Sequence, residues 1–363
     1  MKVQSPGAVL GIVGGGQLGK MIAMAAAQMG LQVHILTDKK DSPASFVANK
    51  TIVARYSDKK ALERFVKPLD IVTYEFENIP LKTMEYIAKT VPVHPGLKSL
   101  EIAQHRIREK DFINQLGIKT APYRKITTIR SLQKAYREIG PKCILKTTEF
   151  GYDGKGQHII DENTNLTKLW NKLKWKEAIL EKFIPFKKEL SVIICRCHDG
   201  SAMPYMPSEN IHENGILDTS MAPAAISEEL IDHIWDVGFK IADALELVGV
   251  IAIEFFVSEE DELLVNELAP RPHNSGHWTM DACITSQFEQ LVRAVCGWPL
   301  GSTHYHSRAI MKNLIGEDVH LWQEFIKDPD MRIHIYGKKE AVAGRKMGHV
   351  THLLGDEDHI VTN

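Results

Sequence analysis

Cysteine is scarce in this chain, and the few present do not pair. The 363 residues contain Cys143, Cys195, Cys197, Cys283 and Cys296. Their number is odd, and the nearest two, in Cys195-Arg196-Cys197, do not form a CxxC. That argues against a disulfide framework and fits a reducing compartment. Long apolar runs are missing as well. The run near the amino end, residues 8–13, is too short for a signal-peptide core or a membrane span, so the cytoplasm is the expected location. Neither sign of charge is in excess, with 44 Lys plus Arg against 46 Asp plus Glu. Such balance excludes a chain-wide attraction for nucleic acid or anionic membrane, and leaves room for a local basic pocket that would take a small anion. Internal repeats and low-complexity tracts are also lacking, which excludes solenoids and tethered tails.

What remains is an ordinary globular composition in a chain long enough for two or three packed domains. The opening reads as a βαβ series. Residues 9–13 form an apolar strand, 14–19 a glycine turn, 20–29 a helix closed by Gly30, and 33–36 the next strand. Residues 70–74 are a further strand, ending in Glu75-Phe76-Glu77-Asn78. Strands alternating with helices imply a parallel sheet with its chemistry at the carboxyl ends of the strands. The texture changes after Pro92-Val93-His94-Pro95-Gly96. A charged helix is expected over 106–116, and β-rich runs at 143–146, 179–181, 189–195, 250–257 and 263–268, with an amphipathic helix over 231–247. This second part has the character of an α+β module with antiparallel sheets. From about 301 short strands alternate with turns around Gly344-Arg345-Lys346.

Two glycine loops stand out. The first, Gly14-Gly15-Gly16-Gln17-Leu18-Gly19, fits GxGxxG between strand and helix, and Asp38 follows the second strand where a nicotinamide enzyme holds a ribose hydroxyl. Alone it is equally a loop for another phosphate or a tight turn. The second, Gly151-Tyr152-Asp153-Gly154-Lys155-Gly156-Gln157, follows a strand that ends in Lys146. It can fold over a polyphosphate as a lid, with Lys146 neutralising phosphate oxygens. The alternative is a flexible surface hairpin with a solvated lysine.

The strongest chemical signal is a pair of carboxylates. The runs 250–257 and 263–268 flank an acidic turn, and a hairpin centred between Glu260 and Asp261 sets Glu254 opposite Glu267. Facing like charges inside apolar strands are destabilising, and a divalent cation removes the problem. Oxygen ligands suit Mg²⁺, with Asn266 alongside as a neutral oxygen. A register shifted by one residue would instead turn one glutamate to solvent. The polar run that follows, from Pro270 to Thr279, reads as a binding loop, with Arg271 as an anion clamp and His273, Asn274 and Ser275 as hydrogen-bond donors. Zinc on His273 and His277 would lack a third ligand at metal-site spacing.

With these segments in view, the chain resembles an ATP-grasp ligase over essentially its whole length. Within that superfamily it is similar to the bicarbonate-using carboxyaminoimidazole ribonucleotide synthases. The resemblance rests on GGGQLG at 14–19, TYEFENIP at 73–80, GYDGKGQ at 151–157, NIHENGIL at 210–217, NELAPRPHNSGHWT at 266–279 and GRKMGH at 344–349. It implies a Rossmann-like domain over 1–104, an ATP-grasp domain over 105–300 with a lid over about 121–183, and a small β-rich domain over 301–363.

Residue by residue, the resemblance implies that Arg106 and Lys146 contact ATP phosphates under the Gly151, Tyr152, Asp153, Gly154, Lys155, Gly156, Gln157 lid. Glu181, Lys182, Phe183 and Ile184 would hydrogen-bond adenine as a linker. Glu189 would take a ribose hydroxyl, and His212 and Asn266 would contact the nucleotide. Glu254 and Glu267 would hold Mg²⁺. For aminoimidazole ribonucleotide the matching positions are Gln17, Glu75, Tyr152, Asp153, Arg271, His273, Asn274, Ser275, Arg345 and Lys346. Asp153, Arg271 and Lys346 would act in catalysis, Asp153 as proton acceptor.

The implied reaction consumes ATP and bicarbonate, through carboxyphosphate, in a homodimer. The segment 356–360 departs from the family pattern, in which a helix follows the Gly-Arg-Lys segment. Rivals are a sister ATP-grasp enzyme such as formate-dependent glycinamide ribonucleotide transformylase or a biotin carboxylase, an NAD-dependent dehydrogenase, and a non-enzymatic nucleotide-binding regulator.

Overall fold

Strand β1 (Val9–Val13) is buried along nearly its whole length, as a central strand of a covered parallel sheet must be. In this computed structural model, which describes residues 2–149, 151 and 156–355, it lies between β2 (Gln32–Thr37) and β4 (Ile71–Tyr74), with β3 (Lys50–Val53) at the edge, all parallel. The helix Gln17–Gln28 starts earlier than its apolar pattern indicates, and buries Met21, Ile22, Ala25 and Ala26 against this sheet.

The glycine turn between β1 and that helix has an unexpected occupant. The carboxylate of Glu75, just past β4, accepts hydrogen bonds from the backbone N–H groups of Gly16 and Gly19, the latter at 2.6 Å. A Cβ at Gly14, where φ is +114°, would lie 2.3 Å from Glu75 Cγ. The glycines therefore clear space for a side chain of the same domain. A helix N-terminus attracts negative charge, and here the chain supplies its own. The pyrophosphate cradle of a dehydrogenase is filled from within.

A second sheet is antiparallel, in the order β5 (Tyr123–Ile126), β8 (Ala178–Lys182), β6 (Cys143–Thr147), β7 (Gln157–Ile160). The helices Ile129–Ile139 and Leu166–Leu173 pack against it, and Cys143, Leu145, Ala178 and Leu180 supply its share of the core. Because side chains alternate along a strand, Ile144 and Lys146 project to the opposite face.

The largest sheet runs β14 (Leu263–Ala269), β13 (Gly249–Ser258), β9 (Phe186–Arg196), β11 (Ser208–Glu213), β12 (Ile216–Ala222), β15 (Arg308–Ile315), β17 (Lys346–Leu354), β16 (Met331–Ile335), with β10 (Ala202–Pro204) also on β9. Its two faces have separate cores. Val192, Ile194, Ile251 and Ile253 meet the helix Glu228–Ala244, whereas Ile193, Cys195, Val250 and Ala252 meet the helix Gln287–Val295. The former helix begins at its Ser227 cap, whose hydroxyl accepts from Leu230 N–H. Strands β15 and β17 are eight and nine residues long and extend this same sheet, a long-range pairing that local pattern does not disclose. The five cysteines are all buried and free, which agrees with the expectation of no disulfide framework. No described helix is long and apolar enough to cross a membrane.

Candidate active site

Between the small sheet and the large one lies a cleft of about 280 Å³. Ile144, Lys146 and Gln157 line it from one side. Glu189, His212, Glu254, Asn266 and Glu267 line it from the other, with His273, Lys346 and Arg106 completing the wall.

Glu254 and Glu267 are direct cross-strand partners, as the hairpin reading expects, but the route to that register differs. The outer pairs, Phe255 with Val265 and Val257 with Leu263, follow a turn centred on Glu260. A bulge then adds Asn266 on β14 and restores Glu254 opposite Glu267. The bulge also presents Asn266 and Glu267 to the cleft together. The Glu254 side chain is 16 % exposed and that of Glu267 37 %. Burial and the facing Glu267 carboxylate push Glu254 up to about 8. Arg106 Nη1 lies 3.3 Å from Glu267, and His273 Nε2 lies 3.4 Å from Glu254. His273 is itself held neutral, because burial and the nearby Arg271 and Lys346 cations lower its pKa well below the imidazole range. Two carboxylates sharing a partly dry face, one pushed toward protonation, with an amide oxygen beside them, form a donor set that fits a hard divalent cation.

The opposite wall is cationic. Lys146 Nζ is 2.8 Å from Glu181 Oε2, and Lys110, a nearly inaccessible lysine, is 3.7 Å from the same atom. Burial alone would raise Glu181, but Lys110, Lys146 and Arg106 hold it down at about 2. The Glu181 carboxylate therefore anchors these cations from β8, at the position where an adenine contact is expected. Lys182 beside it is exposed, and Phe183 and Ile184 are half-buried, with Lys142 Nζ 3.8 Å from the Phe183 ring centroid. Because the Glu181 pKa lies below the ordinary carboxylate range, its stabilisation is present above that range and is lost as pH falls toward 2. Lys110→Met removes one of its partners in a buried cluster. We expect a loss of about 3 kcal/mol in urea unfolding at neutral pH, and an acid transition moved to higher pH.

Glu189 and His212 meet at 2.5 Å through His212 Nδ1. Burial opposes protonation of His212, yet Glu189 raises its pKa overall. Phe186 and Phe256 stack at 4.7 Å between centroids to form the apolar part of the cleft.

A second cleft, of about 460 Å³, opens over the parallel sheet. Gln17, Glu75 and Arg345 line it, together with Asp38, Lys338 and Lys339. Three residues expected to reach for substrate have other partners. Arg271 donates through Nε and Nη2 to both oxygens of Glu77, and through Nη1 to Pro272 O. The Asn274 amide forms a reciprocal pair with the buried Asn313, at 2.9 and 2.8 Å. Ser275 Oγ is fully buried in a network with Ser191 Oγ at 2.6 Å and His273 Nδ1 at 2.9 Å. Asn274 and Ser275 face inward because a polar loop laid on a sheet must satisfy its donors beneath it. His273 and His277 belong to no cluster of three ligand-type side chains among the described residues. Among the described residues, the ligand-type side chains that cluster within 4.8 Å are Asp281, His334 and His349.

Gly151 borders a small recess with Arg106 and Glu267, and Gly156 precedes β7. Tyr152, Asp153, Gly154, Lys155 and the segment 356–360 lie outside the described residues. Sequence reasoning missed Glu77, Glu109, Lys110 and Phe256. Arg106, Glu109 and Lys110 share one helix face at i, i+3, i+4, a charged stripe that a search for apolar faces passes over. Glu109 is buried, accepts from Leu268 N–H at 2.7 Å, and is pushed up to about 8 by burial and Glu267. Phe256 shares the face of Glu254 two residues away, which period 2 would have shown.

Comparison with known proteins agrees with this architecture. Residues 8–104 match the ribonucleotide synthetase preATP-grasp domain, 111–288 the ATP-grasp domain, and 309–362 the phosphoribosylaminoimidazole carboxylase C-terminal domain. The N5-carboxyaminoimidazole ribonucleotide synthase of Brucella melitensis is 46% identical over 351 residues, covering 96% of this chain and 97% of that protein. A bifunctional purine synthesis protein of Dictyostelium discoideum is 43% identical over 371 residues, covering 96% of this chain, which spans only 37% of that longer protein. A crystal structure of an N5-carboxyaminoimidazole ribonucleotide synthetase bound to ADP superposes with a TM-score of 0.94 at 42% identity, covering 98% of this chain and 94% of the other. The Aspergillus clavatus N5-carboxyaminoimidazole synthase, bound to ADP and 5-aminoimidazole ribonucleotide, gives 0.90 at 28% identity, covering 96% and 94%.

Proposed function

The chain belongs to the N5-carboxyaminoimidazole ribonucleotide synthase family of ATP-grasp ligases, and we propose that it uses bicarbonate and Mg²⁺ in the cleft bounded by Lys146, Glu254 and Glu267. It is an ATP-dependent ligase that carboxylates 5-aminoimidazole ribonucleotide in purine biosynthesis. The observation that carries the site assignment is one cleft lined by the cations Arg106, Lys146 and Lys346 and by a cross-strand carboxylate pair.

In the proposed sequence a bicarbonate oxygen attacks the γ-phosphorus of ATP. That O–P bond forms as the bond to the β-phosphate oxygen breaks, giving ADP and carboxyphosphate. Carboxyphosphate then divides into CO₂ and phosphate. The exocyclic amine of the ribonucleotide attacks the CO₂ carbon, and loss of its proton gives the carbamate. Phosphoryl transfer of this kind asks mainly for positioning and charge neutralisation. Lys146 and Arg106 supply positive charge at the phosphates. Glu254 and Glu267 would hold Mg²⁺, which supplies charge neutralisation at the transferring phosphoryl oxygens. The phenyl rings of Phe186 and Phe256 give the adenine an apolar wall, and Glu189 with His212 takes the ribose. Gln17, Arg345 and Lys346 receive the ribonucleotide, Arg271 stabilises the carboxyphosphate, and Asp153 accepts the amine proton. A homodimer in the cytoplasm completes the reading.

Phosphate release tests it. Release should depend on bicarbonate and on 5-aminoimidazole ribonucleotide, and glycinamide ribonucleotide with formate should not replace them. Equal turnover with glycinamide ribonucleotide would move the chain to the sister transformylase activity.

A further inference from the structure

The string from Tyr74 to Asn78 carries two carboxylates, Glu75 and Glu77. β4 ends at Tyr74, so the chain turns and the two side chains part. Glu75 folds back into the glycine turn of its own domain. Glu77 crosses to the other layer and meets Arg271, just beyond β14, with both oxygens on one edge of the guanidinium.

This pair is enclosed, with side chains 23 % and 15 % exposed. Burial alone would raise Glu77, but Arg271 holds it below the ordinary carboxylate range. An enclosed ion pair contributes little net stability over apolar residues of equal volume. What it does supply is orientation, because two parallel N–H···O bonds fix the plane of a guanidinium. Arg271 has five N–H groups. Two go to Glu77 and one to Pro272 O, which leaves two with no partner among the described residues. Arg271 lies four residues beyond Glu267 and two before His273, whose Nε2 is 3.4 Å from Glu254, so its loop borders the carboxylate pair.

We infer that Glu77 is a positioning residue: it grips Arg271 by one edge and so sets the two remaining N–H groups for the carboxyphosphate that forms beside Glu254 and Glu267. The inference rests on the proposed role of Arg271. Glu77 touches no reacting atom and acts through the arginine.

Steady-state kinetics of Glu77→Gln, Arg271→Met and the double variant test this, each alongside its melting temperature. Glutamine keeps the shape of Glu77 and removes the charge and one acceptor. Glu77→Gln should lower kcat about tenfold and leave KM for ATP nearly unchanged, since an interaction made only in the transition state is lost. In the Arg271→Met background the Glu77 change should cost nothing further. Losses that multiply would show that Glu77 acts independently of Arg271 and would overturn the inference. So would an unchanged kcat per folded molecule with a lowered melting temperature, the pattern of a structural clamp. If Arg271→Met itself retained normal bicarbonate-dependent turnover, the role of Arg271 would be wrong and this inference would fall with it. Should Glu77→Gln fail to fold, Glu77→Asp serves instead, because it keeps the charge and breaks the two-pronged contact.

Discussion

Lys146→Ala is expected to lower ATP turnover by about 10²–10³-fold, the usual scale for deleting one preorganised group facing developing charge. Lys146 is the penultimate residue of β6, on the cleft face of its sheet, with its ammonium 2.8 Å from Glu181. Burial and the neighbouring Arg106 and Lys110 cations favour its neutral form, and Glu181 favours the charged one. Three cations thus surround one carboxylate, which leaves positive charge for a polyphosphate. In a partly dry cleft that charge is screened less than at the surface. Folding should survive the substitution, at some cost in stability, because Lys110 remains 3.7 Å from Glu181 to compensate the carboxylate. The measurement is phosphate release with ribonucleotide and bicarbonate saturating. Near-normal turnover would remove Lys146 from the machinery.

Glu267→Gln separates a structural role from a metal-binding one, because the two predict opposite signs. As a structural residue, Glu267 would stabilise the fold through its contact with Arg106. As half of a like-charge pair it destabilises the metal-free protein, since Glu254 directly opposite is already pushed up toward protonation. The variant should therefore melt no lower than the parent without metal. Its Mg²⁺ requirement should rise by about 100-fold, the equivalent of about 3 kcal/mol for a lost charged ligand. An unchanged magnesium titration, with a lowered melting temperature, would assign Glu267 to the scaffold.

The fold was legible where one periodicity dominates. β1, the helix at Arg106 and the hairpin of β13 and β14 all emerge from short-range pattern. The carboxylate pairing is instructive because a straight register and a turn displaced by half a residue with a compensating bulge give the same partners. Only coordinates distinguish them. Asn274 and Ser275 were legible as polar and unlikely core, but not in direction, since Asn313, Ser191 and Ser208 come from distant strands. Glu75 was not legible as the occupant of the first glycine turn for a related reason. A glycine loop announces an anion without saying whether it arrives as a ligand or belongs to the chain. Lys110 escaped because buried lysines are rare, and its partner Glu181 lies on a strand some seventy residues away.

The whole account depends on two acidic side chains from neighbouring strands gripping one ion together with the nucleotide. Crystals grown with ADP and magnesium examine that directly. The account predicts a single ion bound by both Glu254 and Glu267 and by a phosphate oxygen. An ion bound to neither glutamate, with Glu267 still on Arg106 and Glu254 turned away, would contradict it.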